Sequence, residues 1–126
     1  MKILLAMGQF YERCKTMLLL HDKGMQVVAL AGDGTQTFAK IRQLRDKIDL
    51  LIVDDSITAP TDSNELIQLG YLIYNLPVLI VSRHPTGEET FRWHYRGREK
   101  SLTADAVKMR IQRMLKKEKS AKGAHA

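Results

Sequence analysis

An α/β domain built on a mainly parallel sheet is the fold class this sequence predicts, and three observations predict it. Four short runs rich in Val, Ile and Leu (Lys2 to Ala6, Val27 to Ala31, Leu50 to Asp54 and Val78 to Ser82) have the length and continuous apolarity of strands buried on both faces. The stretches between them carry apolar residues at helical spacing, so strands and helices alternate. Two carboxylates, Asp54 and Asp55, stand where the third run emerges, and open α/β sheets bind their ligands outside the carboxyl ends of their strands.

The elements follow in order. Lys2 to Ala6 is a short strand ended by Gly8. Phe10, Cys14, Met17 and Leu18 recur at i, i+4, i+7 and i+8, one face of a helix that runs to about Lys23-Gly24. The second strand, Val27 to Ala31, is closed by Gly32-Asp33-Gly34. Phe38, Ile41, Leu44 and Ile48 fit a second helix with Thr35 or Thr37 as its N-cap. After the third strand comes a loop with Pro60, then Asp62 and Glu65 as a capping pair. Leu66, Leu69 and Ile73 continue into a third helix that stops before Pro77.

After the fourth strand the rhythm changes. Phe91, Trp93 and Tyr95 alternate with Arg92, His94 and Arg96, the period of a half-exposed strand. The connection before it is short and contains Pro85-Thr86-Gly87, whereas a parallel crossover needs a dozen residues or more. Residues 90–96 are therefore expected to run antiparallel to the fourth strand. A last helix, about Thr103 to Lys117, buries Val107, Ile111, Met114 and Leu115 and exposes Lys108, Arg110, Arg113 and Lys117. The expected organisation is one domain over 1–118 and a basic disordered tail over 119–126, with sheet order 2-1-3-4-5 and helices on both faces.

Composition limits the function. At 126 residues and 44% hydrophobic content the chain can bury a core without disulfides or metal. The lone Cys14 cannot form an internal disulfide, no run reaches membrane-spanning length, and Ile3 to Met7 is too short for a signal-peptide core. A cytoplasmic protein is expected. The charge is uneven: residues 1–91 carry 9 Lys/Arg and 11 Asp/Glu (−2), and residues 92–126 carry 11 and 3 (+8). Such a basic third fits nucleic acid, an acidic protein or anionic lipid, or simply a solvated helix face with a soluble tail.

At this point the chain resembles the receiver domain of two-component response regulators, and with it the flavodoxin-like fold with five strands. Asp49 to Asp54 looks like the family's third strand, which puts Asp54 at the phosphoacceptor position. Pro77 to Ser82 looks like its fourth strand, with Ser82 at the switching hydroxyl. Lys100, just before the last helix, looks like the lysine that contacts the phosphoryl group, with Ser101 in place of the following proline. The family's Mg²⁺-binding acidic pair is missing, since Met7 and Gly8 occupy its places and supply no side-chain carboxylate. Phosphoryl transfer to an aspartate needs its charge neutralised, so the resemblance is to a pseudo-receiver. Asp54 is then expected to pair with Lys100.

Other features give weaker signals. Gly8-Gln9 and Gly32-Asp33-Gly34-Thr35 are loops that can hold anions, but neither is a nucleotide signature, and turn geometry alone explains them. Gly8, Gln9, Asp54 and Asp55 would line a switch-point crevice for a nucleotide or nucleoside. The aromatic and basic alternation at Phe91 to Arg96 is either a base-stacking platform or a half-buried edge strand. His21, His84, His94 and His125 lack metal-ligand spacing, and Ser56 and Ser82 lack an evident histidine partner. The expected function is a non-enzymatic receiver-like interaction module without conventional phosphorylation. It would dock a protein partner, or a second copy of itself, through Trp93, Tyr95, Arg96, Arg110 and Arg113, with no cofactor and no membrane. The rivals are the crevice-binding protein or enzyme and a nucleic-acid-binding accessory protein that uses the basic third.

Overall fold

The computed structural model describes residues 1–9, 12, 16, 19–44, 47–54, 57, 76–96 and 98–124. The described strands are β1 (Lys2–Ala6), β2 (Gln26–Ala31), β3 (Leu50–Asp54), β4 (Val78–Arg83), β5 (Glu89–Tyr95) and β6 (Arg98–Leu102). The helices are α1 (Gly34–Leu44) and α2 (Ala104–Ala124). Glu12, Thr16 and residues 19–22 are also helical. Cys14, Asp55, Ser56, the Pro60 loop and the helix expected over Leu66, Leu69 and Ile73 lie outside the described residues.

The sheet order is β2-β1-β3-β4-β5-β6. The first four strands in that order are parallel, and β4-β5 and β5-β6 are antiparallel. The direction expected for residues 90–96 from their short connection is the one observed. In the connecting turn, Gly87 adopts φ +86° and the His84 N–H donates to the Glu88 carbonyl at 2.9 Å. The five-stranded expectation needs correction, because β6 adds a sixth strand. Tyr95 pairs with Arg98, so only residues 96 and 97 connect β5 to β6, and Arg96 takes the positive φ (51°) that such a hairpin requires.

Period-2 alternation sorts the core into two layers. Leu4, Ala6, Leu51, Val53, Val78 and Ile80 pack on one face together with Ile41 of α1. Ile3, Leu5, Leu50, Ile52, Leu79 and Trp93 pack on the other with Val107 of α2, and Ile111, Met114 and Leu115 join them. Helices therefore cover both faces, as the strand sequences require. The central residues of β1, β3 and β4 are buried on both sides because, after the exposed Lys2 of β1, these strands carry no polar residue before their carboxyl ends.

Capping fixes where the helices begin and end. The segment before β2 closes as a Schellman motif: Gly24 (φ +81°) donates its N–H to the His21 carbonyl and Met25 donates to the Leu20 carbonyl. The N-cap of α1 is Asp33 rather than the expected Thr35 or Thr37. The Gln36 N–H donates to Asp33 Oδ1 at 2.8 Å, and Gln36 Oε1 accepts the Gly32 N–H at 2.8 Å. Thr37 is instead buried, its hydroxyl donating to the Asp33 carbonyl. Thr103 caps α2, which continues to Ala124, past the expected end at Lys117 and through much of the stretch expected as a tail. Among the described residues no helix is long and apolar enough to cross a membrane.

Candidate functional site

β3 delivers Asp54 to the carboxyl edge of the parallel strands, beside the point where the order reverses between β1 and β3. Its residue is only 7% exposed, which is unusual for an aspartate. Asp54 shares the face of Ile52, and both line a cavity of about 660 Å³. Leu79, Val81 and Phe91 line the cavity from the sheet, with Leu20 from the first helical segment and Val107 and Ile111 from α2. Arg83 and Glu89 also line it, so charged groups join otherwise mostly apolar walls, the usual make-up of a small-molecule site.

The charged group that the sequence reading missed is Arg83. Its Nη1 lies 2.7 Å from Glu12 Oε2 and its Nε lies 3.7 Å from Glu89 Oε1. The Glu12 hydrogen bond, aided by the charges of Glu12, Glu89 and Asp54, raises the Arg83 pKa above its ordinary value against the opposing effect of burial. The signal was available in the sequence. Arg83 directly follows Ser82 at the carboxyl end of a strand that pairs with β3, so it emerges at the same edge as Asp54.

Lys100 does not supply that charge. It sits on β6 opposite Trp93, and the line across the sheet from Asp54 passes through Val81 and Phe91 to Leu102. Three strand spacings separate Asp54 from that line's end, about 14 Å, and Lys100 lies a further two residues along the strand. The expected Asp54–Lys100 ion pair is therefore corrected. An antiparallel β5 carries the chain to the far edge of the sheet, and β6 has to carry it back.

The remaining candidates divide between the two sides of the sheet. Ser82 alternates with Val78 and Ile80 onto the face opposite Asp54 and pairs across the ladder with Thr90. Gly8 and Gln9 are exposed, and Met7 is the residue of that turn that lines the cavity. Asp55 lies outside the described residues. Asp33, the other carboxylate near a strand end, is committed to capping α1. Among the described residues no group of three or more His, Cys, Asp or Glu side chains is placed to hold a metal ion.

The aromatic strand also reads differently in three dimensions. Trp93 is buried beneath α2, with the Arg110 guanidinium 5.2 Å from its ring centre, and Phe91 and Tyr95 are partly buried beside it. Arg96 lies over the Tyr95 ring at 5.0 Å. Of the two readings of Phe91 to Arg96, the half-buried strand is the one observed: it turns its aromatics to the core. What stays accessible at this end is cationic, chiefly Arg96, Lys100 and Arg113. Neither a known family model nor a curated protein matches this chain.

Proposed function

We propose that this chain is a receiver-like, flavodoxin-like interaction module that works without a phosphorylated aspartate. The observation that carries the reading is Arg83. Held by Glu12 and Glu89 and electrostatically coupled to Asp54, it gives the β3 carboxylate a counter-charge from within the chain. Conventional aspartyl phosphorylation needs a divalent cation there, and Met7 and Gly8 offer that cation no carboxylate. The β2-β1-β3-β4 order, with Asp54 at the end of β3, supports kinship with receivers. The departures after β4, together with the positive charge concentrated there, support a docking side at the β5–β6 and α2 end.

Chemical shifts recorded during a titration with Mg²⁺ and then beryllofluoride test this reading. Resonances of Met7, Asp54 and Ser82 are expected to stay in place. Saturable shifts centred on Asp54 and Ser82 would restore a phosphorylated receiver and refute the proposal. A second reading, small-molecule binding, draws on the 660 Å³ cavity at Asp54. Nucleoside-induced shifts confined to Met7, Ile52 and Val81 would favour it instead.

A further inference from the structure

We infer that the cleft between β6 and α2 binds the phosphate backbone of a nucleic acid. The cleft has a volume of about 320 Å³ and is lined by Lys100, Arg110, Arg113, Thr103 and Met109, among others. Among the described residues no carboxylate pairs with Lys100, Arg110 or Arg113. The neighbouring acid, Glu99, is engaged on the opposite face of β6, where its Oε1 lies 3.5 Å from Arg92 Nη1 and 3.7 Å from His94 Nε2. Strand alternation thus removes the one acidic side chain of β6 and leaves the cleft cationic.

The cleft is also ordered for its task. Arg110 is held over the Trp93 ring, which fixes a flexible side chain before any ligand arrives. Thr103 Oγ1 accepts the Ala106 N–H at 3.1 Å, so its hydroxyl hydrogen remains to donate to an anion. Arg110, Arg113 and Lys117 follow at i, i+3 and i+7 along one side of α2, a cationic row about 10 Å long.

A polyanion fits this surface better than a protein partner does. Protein interfaces centre on apolar and aromatic anchors, and the large exposed hydrophobic here is Met109. Because Trp93 is buried, the surface offers phosphate contacts in place of base stacking. Binding is therefore sequence-independent and steeply dependent on salt. The inference rests on the proposed function only in taking this end as the docking side. Beryllofluoride shifts at Asp54 would overturn that function and leave the cleft untouched.

The test is anisotropy of a short labelled single-stranded oligonucleotide across a salt series with the full chain. Three phosphate contacts give a log–log slope of about −2, or about 20-fold weaker binding between about 50 and 200 mM salt. The Lys100→Gln/Arg113→Gln variant keeps the Trp93–Arg110 stack, so its thermal midpoint should match wild type. It should lose about 1.4 of the slope and bind about 25-fold more weakly at about 0.1 M salt. Arg42→Gln, on α1 across the sheet, should leave binding unchanged. No binding at about 50 mM salt, an undiminished slope in the double variant, or equally tight binding of poly-glutamate would each overturn the inference.

Discussion

Replacing Arg83 with Gln tests the electrostatics at Asp54 directly. The substitution removes one close ion pair to Glu12 (2.7 Å) and one looser pair to Glu89 (3.7 Å), and takes the positive charge from beside Asp54. The Arg83 side chain is 38% exposed and its partners 23% and 42%, so solvent screens these pairs and surface-pair energies apply. The Glu12 pair contributes about 1 kcal/mol and the Glu89 pair a few tenths. Together the cost at pH 7 is about 1.5 kcal/mol. At about 2.1 cal/mol/K per residue, 126 residues give an unfolding entropy near 0.26 kcal/mol/K, and the midpoint should fall by about 6 °C. Trp93, the single tryptophan and buried in the native state, reports the transition by fluorescence. Ion pairs to carboxylates weaken in acid, so the gap between wild type and variant should shrink at low pH. An unchanged midpoint at pH 7, or a gap indifferent to pH, would refute the proposed counter-charge. A cycle pairing Arg83→Gln with Glu12→Gln should show about 1 kcal/mol of coupling.

Three further outcomes are expected. Asp33→Ala removes the acceptor for the Gln36 N–H and should cost about 1 kcal/mol, seen as a midpoint lower by about 4 °C, while Thr35→Ala should change little. Gly24→Ala meets nothing within 4 Å, so its cost comes from the backbone alone at φ +81°, about 1 kcal/mol in urea unfolding. His94 has its pKa lowered from 6.5, by burial first and by Arg92 second, against the opposing pull of Glu99. The unfolded chain therefore binds the proton more readily, and wild type should lose stability as pH falls below about 6.5. A His94→Gln variant should lack that slope, and parallel pH profiles for the two proteins would sink the assignment.

Buried strands were the most legible part of the sequence, because a run such as Leu50 to Val53 has one reading once length and β-branching are weighed. The antiparallel turn at Pro85-Thr86-Gly87 was legible for a different reason, since seven residues cannot complete a crossover. β6 was hidden because Arg98-Glu99-Lys100-Ser101-Leu102 lies exposed at the sheet edge and shows almost no apolar alternation. Its hairpin signal was weak too, with Arg96 where the usual turn has Asn, Asp or Gly. Missing β6 also led to the wrong place for Lys100. The positions of Asp54 and Arg83 at the carboxyl edge could be read from sequence, but the ion pairs that hold Arg83 could not, because Glu12 and Glu89 meet it only through tertiary packing.

The reversal after β4 explains why the chain separates its charges. A parallel fifth strand would end at the carboxyl edge and deliver the next lysine toward Asp54. An antiparallel β5 ends at the opposite edge, so the chain needs β6 to return, and the return places Lys100 at the outside of the sheet. Arg83 stays at the carboxyl edge because it belongs to β4 itself. Lys100, Arg110 and Arg113 gather on β6 and α2, beyond the Trp93 layer, with Glu99 turned away from them. Strand direction thus divides one charged region into two: an internally neutralised edge around Asp54 and a cationic cleft open to an external polyanion. With no shared ion pair between them, substitutions at Arg83 and at Lys100 or Arg113 should act additively on stability and on oligonucleotide binding.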